Sequence, residues 1–167
     1  RSESMSEYYV LLVNDTGTDD SVISSLKNIE TVKAAYGAFG PYDVIVKLES
    51  PDEIKIEQDI SRKIRKLPQI RSTLTLEIHE NGGFRKTSRV ENEVLEKHMV
   101  QAYVMIHCNH SHESQVIENL KKIPEVIETN VLVGSYELIG KIMAPTYNEI
   151  SEVIGKKIRK LENIKST

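Results

Sequence analysis

Apolar residues recur along this chain in two rhythms, one of strand type and one of helix type. Tyr8-Tyr9-Val10-Leu11-Leu12-Val13 is an unbroken apolar and aromatic run of strand length. A polar stretch from Asn14 to Asp20, with Gly17 inside it, reads as a turn. Val22, Ile23, Leu26 and Ile29 then repeat at the spacing of one helix face. Val32 to Phe39 predicts a second strand, Gly40-Pro41 a tight turn, and Tyr42 to Leu48 a third strand. Ser50-Pro51-Asp52-Glu53 predicts a helix start, with Ser50 as the cap, Pro51 in the first helical position and Glu53 completing a capping box. Ile56, Ile60, Ile64 and Leu67 form the stripe of that helix, and Pro68 stops it. From Ile70 to His79 a last strand places Ile70, Ser72, Leu74, Leu76 and Ile78 on one face. The predicted order is βαββαβ.

The pattern then repeats. Residues 9–73 align with residues 103–167 at a constant offset of 94 (Tyr103 against Tyr9), and 23 of the 65 positions are identical. Copy two has its own capping box, Thr146 to Glu149, and its own stripe, Ile150, Val153, Ile154, Ile158 and Leu161. The organisation predicted is a first module over 6–79, a linker over 80–100 and a second module over 101–167 with its last strand short or missing. In the linker Asn81-Gly82-Gly83 marks a turn, and the capping-box pattern Ser88 to Glu91 predicts a short helix over 89–97. The runs at 8–13, 44–48, 103–106 and 131–133 do not alternate, so both faces of each sheet are expected to be covered. The fold class expected is α+β, with the two modules packing sheet to sheet.

Composition narrows the function classes. Each copy is near the lower size limit for a self-sufficient core. A net charge of −3 gives no long-range attraction to nucleic acid or to an anionic membrane. The basic runs Arg62-Lys63-Ile64-Arg65-Lys66 and Lys156-Lys157-Ile158-Arg159-Lys160 fall in the last turns of helices, where cations complement the helix dipole. They read as solvated faces, and no direct nucleic-acid contact is expected. The single cysteine, Cys108, leaves no internal disulfide framework and fits a reducing cytoplasm. No apolar run reaches membrane-spanning length, so no membrane association is expected. Nucleophile elbow, phosphate-binding glycine loop and metalloprotease helix are all missing from the sequence, and no enzymatic activity is expected.

Four shared motifs carry a resemblance. They are Tyr-Val heading the first strand (Tyr9-Val10, Tyr103-Val104), Gly-x-Tyr-Asp/Glu between strands two and three, Lys-Ile-Arg-Lys-Leu in the second helix, and Ile-Arg/Lys-Ser-Thr after it. As an ordered set the chain resembles two copies in tandem of the effector domain of the Lrp/AsnC regulators, also called the regulation-of-amino-acid-metabolism domain. The resemblance implies ferredoxin-like βαββαβ modules that pair through their sheets into a dimeric α/β barrel. It implies further homo-oligomerisation, with small ligands, typically amino acids, bound at interfaces. Carried over by position, the ligand-binding residues expected are Gly40, Tyr42, Asp43, Ser72 and Thr73, with Gly134, Tyr136, Glu137, Ser166 and Thr167. Full regulators carry a helix-turn-helix domain before this module. With the first strand starting near residue 8, DNA binding is expected to come from a helix-turn-helix-bearing family member through mixed assembly. Without the resemblance, the glycine turns read as structural, the glycine permitting the turn and the tyrosine packing at its edge.

One cluster stands outside the repeat. His107-Cys108-Asn109-His110-Ser111-His112 concentrates three of the five histidines and the only cysteine at the end of the second copy's first strand. The aligned stretch of copy one, Val13-Asn14-Asp15-Thr16-Gly17-Thr18, offers only Asp15 as a ligand. The bland reading is a polar loop in which Ser111 caps a helix. The sharper one is a metal site through His107, Cys108, His110 and His112, with copper ahead of zinc because mixed ligands suit it. Two functions are therefore expected in order: a non-enzymatic, cytoplasmic, amino-acid-sensing module, and, as the alternative, a copper- or zinc-binding protein.

Overall fold

Each apolar run becomes a strand, and each 3.6-period stripe a helix laid across one face of a sheet. The computed structural model describes residues 5–38 and 40–166. The chain folds as two units that divide between Ile78 and His79.

The first unit runs β1 (Ser6–Asn14), α1 (Asp19–Leu26), β2 (Val32–Gly37), β3 (Val44–Ser50), α2 (Glu53–Asp59) and β4 (Ile70–Ile78). The strands pair antiparallel in the order β2-β3-β1-β4, the ferredoxin-like arrangement expected from βαββαβ. Val10 and Leu12 of β1 point to the helices, where Val22, Leu26, Ile56, Ile60 and Ile64 close a core with Val44, Val46 and Leu48. Tyr9 and Leu11 alternate to the opposite face and are also buried. There the Lys47 ammonium lies 5.8 Å from the centroid of the Tyr9 ring.

The second unit opens with β5 (Phe84–Arg85) and α3 (Arg89–His98), then runs β6 (Val100–Cys108), α4 (Glu113–Lys121), β7 (Val126–Val133), β8 (Leu138–Ala144), α5 (Tyr147–Glu152) and β9 (Ile164–Ser166). Strand β8 pairs with both β7 and β6, β9 pairs with β6, and β5 pairs with β7. The registers repeat those of the first unit at the offset of 94. Tyr9↔Lys47 has its counterpart in Tyr103↔Lys141, and the shift at Val32/Ala34 has its counterpart at Val126/Glu128. Ser88 and Thr146 cap α3 and α5 by accepting from the N–H groups of Glu91 and Glu149, as expected. Gly83 is required by packing, because a Cβ there would lie 2.3 Å from the Thr129 carbonyl oxygen.

Three local expectations are corrected. Strand β2 ends at Gly37 and not near residue 39, because the Ala38 N–H already turns to the Asp43 carbonyl; Phe39 itself lies outside the described residues. The cap of α2 is Asp52, not Ser50. Ser50 still belongs to β3, its hydroxyl accepts from the Asp52 N–H at 3.0 Å, and the Asp52 carboxylate accepts from the Ile54 N–H. Freed from any capping box, the Glu53 carboxylate reaches Tyr8 instead. Finally, α2 and α5 do not run regularly to their ends. Over Ile60–Ile64 and Val153–Ile158 the backbone widens, with Arg65 N–H donating to Ile60 and Arg159 N–H to Ile154, each at 2.9 Å. The wider turn keeps Ile60, Ile64 and Ile158 buried.

Asp59 is the buried acid of the first unit, 3% exposed. The Thr31 hydroxyl donates to it at 2.7 Å, the Thr31 N–H at 3.3 Å, and the Lys63 ammonium lies 3.4 Å away. Burial alone would raise its carboxyl, but the Thr31 bonds and Lys63 outweigh it and hold Asp59 below the usual carboxylate range. At the matching place in the second unit the aspartate is Val153, and the tie is made by Lys157 to Glu125 at 3.0 Å. A depressed carboxyl stabilises the fold above its unfolded value, and the benefit is lost as pH falls through the folded one. Asp59→Ala is therefore expected to cost about 2–3 kcal/mol at pH 7, with the gap to wild type shrinking on acidification, as measured by urea melts across pH 3–7.

Candidate functional site

Those of the expected ligand residues that the structure describes fall at one end of each unit's strands, in the first unit where the β2–β3 turn, the end of β1 and the start of β4 meet. In the first unit Leu12 stands between Val44 and Thr73, and Val13 pairs with Ser72. Gly40, with φ of 102°, makes the turn that no L side chain favours. Asp43 then performs two tasks. Its N–H donates to the Leu12 carbonyl at 2.8 Å, and its carboxylate accepts from the Asn14 N–H at 2.9 Å. The chain has turned away from β1 by that point, so the aspartate side chain supplies the acceptor that a further strand residue would have supplied. The second unit repeats this with a longer acid. Glu137 N–H donates to Ile106, Cys108 N–H donates to Glu137 Oε1 at 2.9 Å, and Gly134 carries φ of 147°.

The same strand end carries a one-residue register slip. Val13 pairs with Ser72 but Asn14 with Ile70, and likewise His107 with Ser166 but Cys108 with Ile164. The skipped residues are Arg71 and Lys165. Arg71 turns out to Asp15, donating from Nε at 2.9 Å. Arg65, placed by the widened end of α2, donates from Nε to the Thr73 hydroxyl at 3.1 Å. Ser72 is exposed. In the second unit Thr167 and the side chain of Ser166 lie outside the described residues.

Sequence reasoning missed Asn14. It is 5% exposed, and its amide nitrogen lies against the Asp15 carbonyl, the Thr18 hydroxyl and Asp19 Oδ1 at 3.2, 3.0 and 2.7 Å. This ties the end of β1 to the first turn of α1. The signal was a polar residue closing an apolar run. Also unforeseen is Tyr8, whose hydroxyl donates to Glu53 Oε1 at 2.5 Å with Glu77 Oε1 at 3.1 Å. Burial, then these two carboxylates, push its phenol well above the ordinary tyrosine range.

The histidine cluster does not assemble as expected. His107 and Cys108 are strand neighbours and point to opposite faces. Cys108 joins the core beneath α4, and burial first, then Glu137 and Glu113, push its thiol up and away from the thiolate a metal needs. The His110 ring meets Glu113 at 2.7 Å. The His107 ring stacks on Tyr136, centroids 4.2 Å apart and planes at 25°, with Nδ1 3.4 Å from Glu137 Oε1. Among the described residues no group of three or more His, Cys, Asp or Glu side chains is placed to hold a metal ion. Copper or zinc at His107, Cys108, His110 and His112 is not favoured by this arrangement, because the alternation of β6 and the turn into α4 separate the donors.

Residues 101–167 match the Lrp/AsnC ligand binding domain, and the chain carries a domain of that family. The chain is 26% identical over 126 residues to the uncharacterized HTH-type transcriptional regulator PH0140 of Pyrococcus horikoshii, covering 74% of this chain and 78% of that protein. It is 35% identical to FFRP-DM1, whose crystal structure covers 44% of this chain and 99% of its own, with a TM-score of 0.43. The siroheme decarboxylase NirDL aligns over 97% of this chain and 69% of its own at a TM-score of 0.73, but at 13% identity the likeness is one of fold. No helix of the described residues is long and apolar enough to cross a membrane.

Removing the carboxylate that caps the strand end leaves a partly buried N–H without its acceptor. Asp43→Ala is expected to lower stability by about 1–3 kcal/mol, while Asp43→Asn, which keeps an acceptor oxygen, costs under about 1 kcal/mol. Guanidinium denaturation of the two variants checks this, and equal losses would contradict it.

Proposed function

We propose that the chain is a non-enzymatic, cytoplasmic sensing module of the Lrp/AsnC type that binds a small ligand, an amino acid being the expected class. The observation that carries this reading is the family match over residues 101–167, which contains the Gly134-x-Tyr136-Glu137 turn built at the sheet end. The first unit supports a tandem reading, because its strand registers and its Asp43 cap repeat those of the second at the offset of 94. On this reading Gly40, Tyr42, Asp43, Ser72 and Thr73, with Gly134, Tyr136, Glu137, Ser166 and Thr167, line ligand-accepting turns. The strands that are apolar on both faces favour modules pairing sheet to sheet as an α/β barrel.

The module acts by changing assembly, as a homo-oligomer or by joining family members that bind DNA. The HTH-type regulators among its relatives make the second route chemically natural, since paired sheets of one family present the same kind of face. Size-exclusion chromatography with light scattering, with and without each amino acid, tests the proposal. A homo-oligomer whose mass shifts with one or a few amino acids is expected. A strict monomer indifferent to all of them would contradict it.

A further inference from the structure

The two turns share a plan, yet their surroundings differ at one position. Where the first unit has Val13, the second has His107. In the second unit the imidazole covers a face of Tyr136 and places Nδ1 3.4 Å from Glu137 Oε1. That oxygen also holds the Cys108 N–H. A flat, nitrogen-bearing group from the chain itself thus sits where the turn offers an aromatic face beside a carboxylate. In the first unit, among the described residues, no ring lies against Tyr42, and Asp43 Oδ2 meets the Asn14 N–H while Oδ1 has no hydrogen-bond donor. Tyr42 and Asp43 are both half-buried, open enough to be reached and shielded enough for a charge pair to count.

We propose that His107 is a tethered occupant of the second turn, so that the chain has one ligand-accepting turn, Tyr42 with Asp43, whose ligand presents a protonated amine to the free carboxylate oxygen. This rests on the sensing reading above and refines it from two equivalent turns to one. A carboxylate beside an aromatic face favours a cationic nitrogen both by ion pairing and by attraction to the ring. His107 sets a ring nitrogen against the same pair of groups, and being attached to β6 it competes at a high effective concentration with any free ligand. The histidine is therefore a specificity-determining residue that acts by occupying the second turn.

Calorimetric titration of the full chain with each of the twenty amino acids, one at a time, reads the stoichiometry. One site per chain is expected, weakened at least tenfold by Asp43→Asn. His107→Val, which installs the first unit's residue, is expected to raise the count to two. Two equivalent sites in the wild type, or a single site lost with Glu137→Gln instead of Asp43→Asn, would overturn the inference and leave the sensing function standing. No binding by any amino acid to any variant would overturn both. A ligand-free measurement decides the occupancy separately. The His107 ring protons should be shifted upfield by Tyr136 in the NMR spectrum, and Tyr136→Leu should abolish that shift. Ring protons at random-coil positions in the wild type would refute the tethered occupant whatever the titrations give.

Discussion

The candidate site in each unit hangs on one hydrogen bond, from the last N–H of the first strand to an acid in the turn between the next two. Asn14 to Asp43 and Cys108 to Glu137 are the two instances, both at 2.9 Å. A strand end leaves polar backbone groups unpaired once its neighbour turns away, and a half-buried N–H cannot be left so without cost. The carboxylate solves that problem and, in doing so, fixes the turn, the glycine before it and the tyrosine beside it. Strand β4 or β9 then joins with a one-residue slip, and the widened helix end brings Arg65 to Thr73. Remove the acid and these pieces lose their common anchor.

The two units also use the oxygens of this acid differently. A carboxylate has two oxygens. In the first unit one of them is spent on the backbone, and the other has no donor among the described residues. In the second the longer glutamate offers the same oxygen to Cys108 and His107. The Gly-x-Tyr-acid turns therefore have a structural role in both units, and in the first that role leaves one carboxylate oxygen over.

Much of the fold was legible from the chain. Strand-length apolar runs, two helical stripes and a gapless offset of 94 fixed the element order of both units, because periodicity reports directly on which face is buried. What stayed hidden depends on competition between neighbours. Ser50 and Asp52 are both good caps, and only the reach of β3 to Ser50 decides between them. The widened turns in α2 and α5 come from fitting Ile60, Ile64 and Ile158 to the sheet, which composition does not record. At the candidate site, the sequence placed Tyr42, Asp43, Tyr136 and Glu137 in the turns after Gly40 and Gly134 but could not show the hydrogen bonds of the two acids to the preceding strand. It also grouped His107, Cys108, His110 and His112 by nearness in the chain. Strand alternation and a helix start parted them, sending Cys108 inward, His107 to Tyr136 and His110 to Glu113.

Amide hydrogen exchange at Asn14 and Cys108 tests the central bond most directly. If the carboxylates close the strand ends, both amides exchange as slowly as those of Leu12 and Ile106, and Asp43→Ala speeds Asn14 while leaving Cys108 unchanged. Exchange at loop rates in the wild-type chain, or an Asn14 amide indifferent to loss of Asp43, would contradict the account.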